Sequence, residues 1–276
     1  MALKRLLVAL GGPGYLDSAM AEATRIARRS DAELLGLAVM DETPVGPFPG
    51  IPIGDPADAA DLREDRRRRV AVGIEEAAAR FETMLAGSGL PGRLLRSEGD
   101  AQECLVEAMK LADLTIVGIR HAFGCGTLDH AEDFLARVAR ASNRPILAMP
   151  EAARPVSRVL LAYDGSLVAA DALRSFATLR AFDPDHVRIV SCREGDADPE
   201  SILAEGRAYL ELHGHQVETS VLEGLPSAAI LEHAESMDAD LLVLGAVGRR
   251  GLSRLLAGDT ASAMLARSEV PLLLRR

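Results

Sequence analysis

The chain has no tryptophan, and aromatic residues make up only 3% of its 276 positions. That argues against stacking platforms for single-stranded nucleic acid and against an aromatic-lined sugar site. Cysteine is almost as scarce. Cys104, Cys125 and Cys192 are too few and too scattered for a disulfide framework. They read as thiols of a reducing cytoplasm, with Cys104 and Cys192 expected in the core. Long apolar runs are missing too: the longest, residues 241–247, is far below the roughly 18 needed to span a bilayer. Lys4 and Arg5 precede only a short apolar run, residues 6–10, so no secretory leader and no membrane partner are expected. Basic charge is also in deficit, with 31 Lys and Arg against 41 Asp and Glu and a net charge of −10. A protein that holds nucleic-acid phosphates usually shows the reverse balance, so no nucleic-acid partner is expected. The dense cluster Arg66 to Arg69 is interleaved with Asp61, Glu64, Asp65, Glu75 and Glu76, and reads as a solvated helix face.

What is present is ample apolar content. Hydrophobic residues are 48% and charged ones 26%, enough to bury a sizeable core. The chain also reads as one unit written twice. Lys4-Arg-Leu-Leu-Val-Ala-Leu-Gly-Gly-Pro13 matches Ser157-Arg-Val-Leu-Leu-Ala-Tyr-Asp-Gly-Ser166. Ala112-Asp-Leu-Thr-Ile-Val-Gly118 matches Ala239-Asp-Leu-Leu-Val-Leu-Gly245, and Arg144-Pro-Ile-Leu-Ala-Met149 matches Val270-Pro-Leu-Leu-Leu-Arg275. The first copy is longer between its first two landmarks. The excess is assigned to the Pro/Gly-rich segment 43–56 and the start of the helix after it. The boundary falls near residues 150–155, giving domains 1–152 and 153–276.

Each half alternates short apolar runs with longer amphipathic stretches. In the second half, strands are expected at 159–163, 187–192, 216–222, 241–245 and 272–274. Helices are expected at 169–181, 201–213, 227–237 and 260–267. Runs apolar on both faces and separated by helices imply a parallel sheet covered on both sides. The fold class is therefore α/β: two tandem Rossmann-like domains, each an open parallel five-stranded sheet with helices on both faces. A long helix is expected in the first half from about residue 57 to 85.

In such sheets, ligands bind beyond the carboxyl ends of the strands, where strand order reverses. Asp164-Gly165-Ser166 ends the first strand of the second half. Gly245 ends its fourth strand and opens a loop through Gly248 to Gly258, Asp259 and Thr260, which leads into a helix. Glycines there would let backbone N–H groups approach a ligand, and the helix would direct its positive end at the same place. The plainer reading is that the glycines make tight turns and that Asp259 or Thr260 caps the helix.

The spacing Gly245, two residues, Gly248, nine residues, Gly258 resembles the nucleotide-binding signature of the universal stress protein family. The alanine-rich closing helix and Glu269-Val-Pro-Leu-Leu-Leu resemble that family as well, and the likeness covers both halves. The resemblance implies a cytoplasmic stress-response binding protein with no established reaction. It implies an adenine nucleotide such as ATP or AMP, with Mg or Mn accompanying it, and an Asp at the first strand end, here Asp164, holding the adenosine. The cofactor-binding candidates are Asp164, Gly165, Val190, Gly245, Gly248, Gly258, Asp259 and Thr260; no catalytic or metal-ligating residue is assigned.

One departure stands out. The family has Ser or Thr after the third glycine, where this chain has Asp259. A hydroxyl donates to a phosphate, whereas an ionised carboxylate only accepts. At about 4 Å near a surface, like charges repel by up to roughly 4 kcal/mol. Three outcomes stay open: no triphosphate binding, binding bridged by a divalent cation, or binding of a less charged adenosine derivative.

The first half departs further. Its first strand ends Leu10-Gly11-Gly12-Pro13 without the Asp, and the long-spaced glycine after Gly118 is missing. It is expected to be a structural partner that does not bind nucleotide in the family's way. Its Pro-rich segment 44–56 is either a cover for a different pocket or a surface excursion. The halves are expected to form an intramolecular pseudo-dimer, pairing at residues 146–149 and 272–274; homodimers of whole chains are compatible with this. His121, Cys125 and His130 lack a standard zinc spacing. Ser166 lacks a nucleophile elbow and is expected to cap a helix. The alternatives are a weak ATP hydrolase and an interaction protein whose nucleotide site has decayed.

Overall fold

The computed structural model describes residues 3–11, 13–40, 56–119, 131–152, 154–193, 198–246, 264–265 and 267–276. The first half runs β1 (Arg5–Ala9), α1 (Pro13–Ser30), β2 (Glu33–Met40), α2 (Pro56–Ser88), β3 (Gly92–Glu98), α3 (Ala101–Met109), β4 (Leu114–Gly118), α4 (Ala131–Ala141) and β5 (Ile146–Met149). The second half runs β6 (Arg158–Ala162), α5 (Leu167–Leu179), β7 (His186–Cys192), α6 (Pro199–Leu212), β8 (Val217–Leu222), α7 (Pro226–Ser236), β9 (Leu241–Gly245) and β10 (Leu272–Arg275). Met264, Leu265 and Arg267 are helical, within the stretch expected to be helical before the last strand.

Local chemistry explains these elements. Leu16, Ala19, Met20, Ala23, Ile26 and Ala27 recur at helical spacing on α1 and are all buried. Asp100 and Asp198 cap α3 and α6, accepting from the N–H groups of Glu103 (2.8 Å) and Ser201 (3.4 Å). Pro199 and Pro226 sit in the first turns of α6 and α7, where a missing N–H costs nothing. α5 stops at Arg180, which adopts a left-handed φ of 50°.

The ten strands of the described residues form one sheet in the order β3-β2-β1-β4-β5-β10-β9-β6-β7-β8. Every neighbouring pair is parallel except β5–β10, which is antiparallel with Leu273 opposite Leu147. The pairing lies at the two closing strands named from the sequence. Each half taken alone has the order 3-2-1-4-5 of a doubly wound sheet. Helices cover both faces. α1, α2, α5 and α6 pack on one through Leu6, Val8, Val159 and Leu161, while α3, α4 and α7 pack on the other through Leu7, Val117, Leu160 and Leu242. Both cores draw on both halves, so apolar packing crosses the β5–β10 seam. Arg25 of α1 also lies 5.7 Å over the ring of Phe182, and Arg29 pairs with Asp183 at 3.2 Å.

The repeat extends to individual hydrogen bonds. Asp113 Oδ2 accepts from the N–H groups of Lys4 (2.8 Å) and Arg5 (3.0 Å). Asp240 Oδ2 accepts from those of Ser157 (3.1 Å) and Arg158 (2.8 Å). The Asp of each Ala-Asp-Leu landmark thus ties the start of the fourth strand of its half to the start of the first. Cys104 and Cys192 depart from the expected core placement: each is half-buried and packs at the margin of one core, Cys104 from the first turn of α3 and Cys192 from the last residue of β7. Among the described residues, no helix is long and apolar enough to cross a membrane.

Candidate functional site

In the second half, strand order reverses between β6 and β9. The crevice beyond their carboxyl ends is where an open parallel sheet offers a ligand its backbone and helix N-termini. The chain leaves β6 through Tyr163 into Asp164-Gly165-Ser166. Ser166 N–H donates to Asp164 Oδ1 at 3.0 Å, closing an Asx turn. Gly165 takes φ +76°, a value that favours glycine. Ser166 Oγ then accepts from Ala169 N–H at 3.2 Å, making Ser166 the N-cap of α5, as its position in the sequence suggested. One lone-pair direction of the half-buried Asp164 is used in this turn. An ionised carboxylate has roughly four, so Asp164 keeps acceptor capacity for a ribose hydroxyl or an amine.

Gly245 ends β9 beside this turn. A Cβ at Gly245 would stand 2.9 Å from the Ala169 N and from the Val168 backbone carbon. Glycine is therefore required here for the first turn of α5 to close on the end of β9, apart from any ligand. This also places Asp164, Gly245 and the α5 N-terminus together. Val190 lies across β6 from Gly245 in the sheet. The residue is 1% exposed, and its carbonyl accepts Tyr163 N–H at 2.8 Å. Val190 is therefore closed off within the sheet. Gly248, Gly258, Asp259 and Thr260 lie outside the described residues, as do the 44–55 part of the Pro-rich segment and His121, Cys125 and His130.

The first half repeats the scaffold without the carboxylate. Leu10 N–H donates to Leu37 O at 2.9 Å, as Tyr163 does to Val190, but Gly11 stands where Asp164 does. Instead, the Glu151 carboxyl packs over Gly14, its Oε1 3.0 Å from where a Cβ would be.

Two features around the second-half site were not read from the sequence. Tyr163 is 8% exposed, and its hydroxyl is held above its ordinary pKa by burial and by the charges of Glu205 and Asp164. Gly206 lets α6 close onto it: a Cβ there would stand 2.6 Å from Ile189 Cδ1 and 2.9 Å from Tyr163 Cδ1. A lone glycine inside a helix pattern was the available signal. At the opposite edge of the sheet lies an open hollow of about 640 Å³, lined by Arg158, His186, Arg188, Arg207, Glu211 and His215. Its arginines are already engaged: Arg158 with Asp238, Arg188 with Glu218, and Arg207 with Glu211. Among the described residues, no group of three His, Cys, Asp or Glu is arranged to hold a metal ion.

The model of the universal stress protein family matches residues 155–276, which hold this site. Residues 155–276 thus carry a universal stress protein domain. A universal stress protein of Synechocystis is 27% identical over 183 residues, which cover 66% of this chain and 64% of that relative. One from Methanocaldococcus jannaschii is 37% identical over 71 residues, covering 26% of this chain and 42% of that one. The chain thus spans less than two thirds of the length of each of these relatives. The crystal structure of a universal stress protein from Archaeoglobus fulgidus covers 100% of this chain and 97% of its own, with a TM-score of 0.65 at 18% identity. A putative universal stress protein of Pseudomonas aeruginosa covers 99% of this chain and 93% of its own, with a TM-score of 0.60 at 20% identity. These two likenesses extend the universal stress protein fold over both halves.

Proposed function

We propose that this universal stress protein is a cytoplasmic binding or regulatory protein of two tandem domains, 1–152 and 153–276, whose second domain holds an adenine nucleotide. The observation that carries the reading is the juxtaposition of Asp164 and Gly245 across the β6–β9 crevice, with the capped N-terminus of α5 beside them. Asp164 accepts hydrogen bonds from the adenosine part, and the loop running from Gly245 through Gly248 to Gly258 and Thr260 receives the phosphates. Asp259 in that loop makes a divalent cation, Mg or Mn, a requirement for a triphosphate. The first domain, with Gly11 in place of the carboxylate, serves as a structural partner in the pseudo-dimer.

Equilibrium titration with labelled ATP, with and without Mg or Mn, tests this. Saturable binding is expected with the cation, and Asp164→Ala should weaken it by about tenfold, the cost of one hydrogen bond to a charged group. Absence of binding by the unmodified protein, with none gained in Asp259→Ser, would overturn the reading.

A further inference from the structure

We propose that Arg275, at the carboxyl end of β10 with Arg144 and Arg174 around it, is an anion subsite that takes the phosphate groups of the nucleotide. The inference rests on the nucleotide reading above and names the group that neutralises the ligand's charge.

Strand register fixes the placement. Arg275 pairs with Gly245 in the parallel β9–β10 ladder. Paired residues project from the same face of a sheet. Leu273 belongs to the core under α1 and α5, whereas Leu272 and Leu274 belong to the opposite one. Alternation therefore puts the Arg275 side chain on the α5 face, alongside the gap that Gly245 leaves for Val168 and Ala169. The turn carrying Asp164 follows β6, the next strand beyond β9. With strands about 4.8 Å apart, Arg275 stands roughly 10 Å from that turn across the rim.

The guanidinium there is uncommitted. Its Nε is buried and has no hydrogen-bond partner among the described residues. Burial lowers its basicity; Arg144 and Arg174 lower it further, while Asp171 opposes them. Asp171 is itself engaged by Arg174 at 2.8 Å, and Arg144 donates to Lys110 O at 2.9 Å. The charges felt at Arg275 are thus those of two further guanidinium groups and one carboxylate, in a chain whose net charge is −10. A buried donor left unmade is costly, and an anion would satisfy it. Arginine offers a planar fork that matches phosphate oxygens.

Calorimetric titration of the whole chain with ATP, adenosine and inorganic tripolyphosphate, each in the presence of Mg, tests the subsite. Arg275→Met should lose about tenfold to a hundredfold in ATP affinity and keep adenosine affinity within about twofold. Arg275→Lys, which keeps the charge but not the fork, should fall between and serves if the Met variant does not fold. Tripolyphosphate should displace ATP from the unmodified protein. Unchanged ATP binding in both variants, or no displacement by tripolyphosphate, overturns the subsite and leaves the nucleotide reading standing. Failure of the unmodified protein to bind either ATP or adenosine overturns the nucleotide reading, and the subsite with it.

Discussion

Asp240 is 2% exposed, accepts from two backbone N–H groups and pairs with the guanidinium of Arg154. Its loss would leave two strand-start N–H groups without their acceptor, while Arg154 would keep its pairing with Asp238. Asp240→Ala is expected to cost about 1–3 kcal/mol in urea unfolding, the range for buried donors left unsatisfied. Asp113→Ala, at the half-buried counterpart in the first half, should cost less. His215 carries a pH signature. Burial holds its pKa below the usual 6.5, helped by His213 and Arg180 and opposed by Asp183. The unfolded chain therefore takes up the proton first. Stability should fall as pH drops through 6.5 and level off below the folded value. Thermal melts between pH 8 and 5 should show a shallower decline for His215→Gln, with His233, lowered in the same way, left as a residual slope. These residues mark the limit of reading chemistry from one dimension. The Ala-Asp-Leu landmark was visible as a repeat, but its role in tying two strands together depends on contacts more than eighty positions apart.

At the scale of elements, α5 is the piece that makes the crevice. Its cap, Ser166, and its first turn are fixed by local hydrogen bonds and were legible in the sequence. Its approach to β9 is not local. It depends on Gly245 having no side chain, a tertiary reason that strand patterning alone does not show. Gly245→Ala is expected to cost about 1–3 kcal/mol by overpacking, even without ligand, measured as a lower unfolding midpoint. A variant as stable as the parent would mean that α5 can shift freely. The strands themselves were legible because their apolar runs are short, continuous and bounded by glycine, proline or aspartate. The Pro-rich segment offers no such pattern, and the loop beyond Ala246 was read through glycine spacing rather than periodicity.

At the scale of the whole molecule, one sheet and two cores pass through the β5–β10 seam. Leu147 and Leu273, both at most 1% exposed, meet at its centre. The two halves should therefore unfold together. Calorimetry is expected to show one transition with matching calorimetric and van't Hoff enthalpies; two resolved transitions would show that the seam is weak. Residues 153–276 alone would expose β10 as an open edge and are expected to self-associate, readable by light scattering. The direction of the seam has a further consequence. Because β5 and β10 run oppositely, the carboxyl ends of the two sets of strands lie at opposite edges of the sheet. Whatever occupies the edge of Asp164 and Gly245 cannot touch, crowd or share a mouth with anything held at the edge of Gly11 and Gly118. The two addresses are separate in space, so one could lose its occupant over evolutionary time without reshaping the other.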